Sequence, residues 1–239
     1  MNFWSCSRLT ETGIADLGEA LKNLERLENV KFIFSQCSRI TNAGLSGLHL
    51  ALSFSGCPKI TDSGLSSIWQ TLKDILSMLY LELRFLGCHK ITNSGLEELS
   101  QHLKNLTLLK SLHLVFSRRG NITDMGLAYI TESLENLTSI ENLSLLFFDC
   151  DKITEKSLRS LINGLKNMIC LRDITLDFHE CFQITGMSLP EFGQALKKCP
   201  ALEKVWLNFL YCGKILKLAV EKCCQELGNI KKIQVFGGR

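Results

Sequence analysis

The chain holds only three prolines in 239 residues, a scarcity that disfavours turn-rich all-β designs and proline-rich linkers. It has no apolar run near the roughly 18 to 20 residues that a membrane-spanning helix requires, so no membrane association is expected. Nor is there a block of five or more lysines and arginines, and 27 basic against 24 acidic residues leave a formal net charge of only +3. Without a basic stripe, nucleic acid is excluded as the expected partner. The opening Met1-Asn2-Phe3-Trp4-Ser5-Cys6 has no basic stretch followed by an apolar one, so no signal peptide is expected. Glycine-rich phosphate loops, nucleophile elbows and His-Glu-x-x-His zinc motifs are all missing, which argues against an enzyme and against a bound cofactor.

Cysteine, by contrast, is plentiful. Eleven occur, an odd number in a chain without a signal peptide, which points to free thiols and a reducing, cytoplasmic setting. Sequons at Asn105, Asn121, Asn136 and Asn142 are read as chance matches in a repeat rich in Asn, Leu and Thr. With 46% hydrophobic and 21% charged residues, the chain has the composition of an ordered globular protein.

One line of residues recurs along the whole chain. It runs Phe, Cys, Ile-Thr, Gly-Leu, as in Phe85…Cys88…Ile91-Thr92…Gly95-Leu96. Copies start at Phe3, Phe34, Phe54, Phe85, Phe116, Phe147, Phe178 and Phe209, with spacings of 31, 20, 31, 31, 31, 31 and 31 residues. Arg119 stands where the fifth copy should have its Cys. Ahead of each Cys, apolar residues alternate, as in Leu81-Glu82-Leu83-Arg84-Phe85, which predicts a short strand. After each Thr they follow helical spacing, as in Leu127, Ile130, Leu134 and Leu137. Thr92 and its equivalents fall at the N-cap, and Asn23, Asn105, Asn136 and Asn167 lie near the helix end, where a left-handed residue is common.

A single strand–helix unit cannot bury its own apolar face, whereas stacked units can. The expected fold is therefore an α/β solenoid of about eight 31-residue units, with a parallel sheet on the concave side and helices on the convex side. The strand pattern followed by Cys-x-x-Ile-Thr-x-x-Gly-Leu resembles the cysteine-containing leucine-rich repeats of F-box proteins. The long helix is similar to the ribonuclease-inhibitor-like class and to long protist repeats. This resemblance implies a horseshoe-shaped leucine-rich-repeat domain used for protein recognition. It also implies an alternative role, as the substrate-recognition portion of an F-box type ubiquitin ligase whose F-box lies outside this chain.

The repeat departs from regularity in three places. Between Cys37 and Cys57 a unit is eleven residues short and should lack most of its helix. The unit between Val205 and Ile233 spans 28 residues. Neither end carries a polar capping unit, so residues 1–239 read as one domain of a longer array, with self-association through open ends as a further expectation.

The cysteine column places one sulfur per stacked layer, a line rather than the tetrahedron that zinc needs, and is read as a packed thiol ladder with no metal. His179-Glu180-Cys181 and Cys223-Cys224 have no matching second ligand pair. Cys223 and Cys224 point in different directions on a helix, so one should be core and the other more exposed.

Strand alternation assigns the solvent side of the sheet. Val115, Leu146 and Phe148 form an apolar diagonal there, joined by Trp206 and Leu210, where polar residues are the norm. Arg84, Asp177, His179 and Asn208 lie on the same face and would add polar specificity, with Asp177 and His179 close enough to touch. These nine residues are the expected contact surface for another protein.

Overall fold

The computed structural model describes residues 2–4, 30–35, 50–72, 78–117, 121–213, 215–228 and 230–237. The predicted helix-poor segment after Cys37 lies for the most part outside the described residues, as does Arg119. The described strands are β1 (Asn2–Trp4), β2 (Val30–Ser35), β3 (Leu50–Ser53), β4 (Tyr80–Leu86), β5 (Ser111–Ser117), β6 (Asn142–Phe148), β7 (Asp173–Asp177), β8 (Lys204–Asn208) and β9 (Lys232–Phe236). All pair in parallel and in chain order within one nine-stranded sheet. The described helices are α1 (Asp62–Leu72), α2 (Asn93–Leu103), α3 (Asp124–Leu134), α4 (Glu155–Gly164), α5 (Leu189–Lys197) and α6 (Lys217–Leu227). The described residues thus form an α/β solenoid of leucine-rich strand–helix units around one parallel sheet. Strands sit about 4.8 Å apart whereas helices need about 8–10 Å, so the stack must curve with its sheet inside.

Register follows the repeat. Leu81 pairs with Leu112, Leu112 with Leu143 and Leu143 with Ile174, steps of one 31-residue unit. Val30 pairs with Leu50, so β2 and β3 are neighbours despite the 20-residue step. Val205 pairs with Ile233, as the 28-residue unit requires. The phenylalanines stack behind the sheet, from Phe54 on Phe85 at 5.5 Å to Phe178 on Phe209 at 5.9 Å between ring centroids. The column ends at Gly237, where a Cβ would come within 3.1 Å of Phe209 Cβ.

At the starts of α1 to α4 a side chain reaches into the next unit and clamps it. Thr92, Thr123 and Thr154 cap α2, α3 and α4, each hydroxyl accepting from the backbone N–H two residues on. The residue after the Thr then grips the following unit's cap. Asp62 accepts from the Thr92 N–H at 2.8 Å and its hydroxyl at 2.6 Å. Asn93 accepts from the N–H groups of Thr123 and Gly126 at 2.9 and 3.1 Å. Asp124 accepts from the Thr154 N–H, the Thr154 hydroxyl and the Ser157 hydroxyl at 2.8, 2.6 and 2.5 Å. Glu155 accepts from Thr185, Gly186 and Ser188 in the same way. Burial opposes the charged form of Glu155, but the hydrogen bonds from Ser188 and Thr185 outweigh it and hold the carboxyl below its usual pKa.

This clamp explains the glycine of the Gly-Leu pair. A Cβ on Gly95 would overlap the Asp62 carboxylate, and one on Gly126 would lie 2.7 Å from Asn93 Oδ1. Where Ser157 replaces that glycine, its hydroxyl joins the clamp instead. The clamp stops at Gly186, which follows Thr185 where the earlier units have Asp, Asn or Glu. Accordingly, α5 and α6 start without a side-chain cap.

The described members of the cysteine column, Cys57, Cys88, Cys150, Cys181 and Cys212, are a ladder of buried thiols. Cys88, Cys181 and Cys212 donate to the carbonyls of Phe54, Phe147 and Phe178 in the preceding unit, at 3.2, 2.9 and 3.0 Å. Burial pushes the thiols of Cys88, Cys150 and Cys212 up to about 12, so they stay protonated at neutral pH. Cys223 is buried and Cys224 half-buried, as their helical positions predict.

Among the described residues the left-handed positions are not the helix-end asparagines, and Asn23 lies outside them. Lys104 and Glu135, at the C-caps just before Asn105 and Asn136, are right-handed, and neither those asparagines nor Asn167 has a positive φ. The left-handed position is the residue before each described repeat cysteine: Gly56, Gly87, Asp149, Glu180 and Tyr211. There the chain leaves the strand and must reverse before the thiol can turn inward, which the alternation of apolar residues does not reveal.

Candidate binding face on the concave sheet

Three rows of side chains cross the concave face, one residue per strand in each. The first row runs Tyr80, Ser111, Asn142, Asp173, Lys204 and Lys232. The second runs from Glu82 through His113, Ser144, Thr175 and Trp206 to Gln234. Arg84, Val115, Leu146, Asp177, Asn208 and Phe236 make the third. Beyond it lie Phe148, His179 and Leu210, at the mouths of the turns.

All nine residues expected on the contact surface face this side, but the structure sorts them differently. Val115 is only 1% exposed. It sits in register between Arg84 and Leu146, whose longer side chains flank it, so it offers a partner no area. Arg84 donates from Nε to Glu82 Oε1 at 2.5 Å, while Tyr80 donates its hydroxyl to Glu82 Oε2 at 2.6 Å. Burial, and then the Glu82 carboxylate, raise the Tyr80 phenol to about 12. Asp177, 8% exposed, accepts from the His179 N–H at 3.1 Å and lies 2.8 Å from His179 Nδ1. Phe148 stacks on His179, with ring centroids 4.7 Å apart. Asn208 Oδ1 accepts from the Leu210 N–H at 3.1 Å. Each polar member is therefore engaged by a neighbour within the protein, which stiffens the face.

Leu146 and Trp206 come together elsewhere. Both are half-buried and line a groove of about 310 Å³ with Thr175 between them in the neighbouring strand. A second groove, of about 370 Å³, adjoins the first through Asp173 and Thr175 and continues past Asn142 and Ser144 to Tyr80. Together they form a trough across β4 to β9, lined by Leu146 and Trp206 towards β8 and by Tyr80, Ser111, Asn142 and Ser144 towards β4. Trp206 is braced from its far side by Phe236, ring centroids 5.8 Å apart and tilted by 56°.

Sequence reasoning missed the first row, whose Asp173, Lys204 and Lys232 form one lip of the trough. Carrying the strand alternation one step towards each strand's start would have found them. Lys204 donates to Asp173 at 2.7 Å, and this contact raises its pKa. Lys231 pairs with Glu203 at 3.1 Å and Lys110 with Glu141 at 3.0 Å. Among the described residues, no three or more His, Cys, Asp or Glu side chains are grouped to hold a metal, and no helix is long and apolar enough to cross a membrane.

No protein-family model matches this chain, and no curated protein matches it. Among solved structures, a chain of the crystal structure of the Rad7 and Elc1 complex in yeast is similar at 18% sequence identity and a TM-score of 0.33. That likeness covers 91% of this chain and 68% of the other.

Proposed function

We propose that this protein is a non-enzymatic recognition module that binds a segment of another protein across its concave sheet. The observation that supports the reading is the groove holding Leu146 and Trp206. A solvent-facing sheet surface is normally polar, and an apolar, concave site framed by charged groups is the usual form of a binding pocket. Tryptophan is also enriched among residues that dominate binding energy. Rigidity favours the same role. The Phe column behind the sheet and the Arg84–Glu82 and Asp177–His179 pairs on it hold the floor in place, so little ordering cost falls on binding.

The test is a pair of substitutions, Leu146→Ser and Trp206→Ser. Each removes apolar contact area from the groove while leaving the buried columns of Leu145 and Leu207 intact. Partner capture should fall at least about tenfold for Trp206→Ser, the scale of a single aromatic hot spot. Thermal stability should drop by no more than a few degrees, since half-buried surface residues carry little of the core. Loss of folding with either variant, or unchanged capture with both, would refute the reading.

A further inference from the structure

The trough has a chemical polarity that goes beyond the presence of a binding face. Its apolar end is lined by two first-row lysines, one of which has no ion-pair partner among the described residues. Lys204 and Lys232 are register partners on adjacent parallel strands and point to the same side of the sheet. Asp173 satisfies Lys204 alone, at 2.7 Å, and Glu203 is taken by Lys231. Lys232 is exposed and makes no ion pair among the described residues. Lys204, Lys232 and Asp173 therefore line the groove together with Trp206 and Gln234.

We infer that the groove takes an extended peptide segment in which an apolar side chain neighbours a carboxylate. The apolar side chain rests on Leu146 and Trp206, and the carboxylate lies against Lys232, which is exposed and has no ion-pair partner among the described residues. The remainder of the segment crosses the sheet towards β4, where Ser111, Asn142 and Ser144 offer hydrogen-bonding groups. Five interstrand steps of about 4.8 Å make roughly 24 Å, the length of about seven extended residues. This inference rests on the concave-face reading and adds the chemistry of the partner.

The probe is a synthetic heptapeptide library, acetylated and amidated at its ends, presenting Leu, Phe or Trp beside Glu, Gln or Lys. It is screened against the whole chain, and selected peptides are measured by fluorescence anisotropy. Glu peptides should bind about three- to five-fold more tightly than their Gln counterparts, the scale of one exposed ion pair. Lys peptides should bind more weakly than both. The Glu preference should vanish in Lys232→Gln and in about 0.5 M salt, where screening is strong. Equal binding of Glu and Gln peptides, with Trp206→Ser still abolishing both, would overturn the carboxylate inference and leave the concave-face reading standing. Binding indifferent to Trp206→Ser and Leu146→Ser would overturn both. A library that yields no binder overturns the peptide inference. So does concentration-dependent self-association lost in Trp206→Ser, which would show a second copy filling the groove.

Discussion

Replacing Asp124 by alanine should unfasten two units that the sheet alone holds less firmly. Its carboxylate receives three hydrogen bonds from the next unit, at 2.8, 2.6 and 2.5 Å. Hydrogen bonds to a charged group contribute roughly 1.5–3 kcal/mol each when well sheltered, and less where water can replace them. Asp124 and Thr154 are half-buried but Ser157 is fully buried, so part of the loss is recovered by solvent. A net cost of about 2–3 kcal/mol is expected, including the lost favourable charge at the start of α3. Asparagine provides the control, because Asn93 performs the same task one unit earlier by accepting two N–H bonds and donating to the Thr123 hydroxyl at 3.0 Å. Asp124→Asn should therefore cost less than about 1 kcal/mol, losing charge but keeping the clamp. Urea unfolding gives the difference, provided the slope is unchanged between variants. Solenoids can unfold in parts, so hydrogen exchange at the Thr154 amide gives a local reading that does not assume one transition. A cost below about 0.5 kcal/mol for alanine, or equal costs for alanine and asparagine, would refute the clamp as a source of stability.

Three further outcomes follow from the same geometry. Gly164→Ala would place a Cβ 2.9 Å from the Thr131 carbonyl, a backbone atom that cannot swing aside; α3 and α4 should be forced apart at a cost of about 1–3 kcal/mol, measurable by urea unfolding, and a stabilised variant would contradict this. The folded Glu155 carboxyl has a lowered pKa, so its contribution is present above the unfolded value of about 4.5 and is lost as pH falls through the folded value; Glu155→Gln should therefore show a shallower loss of stability in acid than the native protein, and parallel curves would refute the assignment. Iodoacetamide at about pH 8 should label exposed Cys170 well before Cys88, Cys150 or Cys212, whose buried thiols are held near 12, with mass spectrometry locating the adducts.

The repeat made the architecture legible because each of its columns has one physical job. Phe marks the stack behind the sheet, Thr the helix cap and Cys the turn, and even the 20- and 28-residue steps gave the right strand partners at Val30–Leu50 and Val205–Ile233. What stayed hidden depends on neighbours in adjacent units. Val115 looks exposed by alternation, yet it is buried where it sits in register between Arg84 and Leu146. The clamp from Asp62, Asn93, Asp124 and Glu155 was visible as a polar residue after each Thr, but its partner lies about 30 residues away and only stacking brings the two together. The asparagines near helix ends were assigned a left-handed role that belongs to the residue before the cysteine. Among the expected contact residues, Leu146 and Trp206 meet in a groove, whereas Phe148, Asp177 and His179 form a separate, internally bonded cluster nearer the turns.

The claim that matters most is that the concave sheet is where a partner lands. A photo-crosslinking residue placed at Gln234, exposed at the groove, can be compared with one at Asn163, exposed on α4 of the convex side. Irradiation of each variant in its native cellular setting, followed by mass spectrometry, shows which face touches other proteins. Adducts to a shared partner from Gln234, absent from Asn163 and lost when Trp206→Ser is added, are the result expected here. Adducts from Asn163 alone would contradict the account and move recognition to the helices.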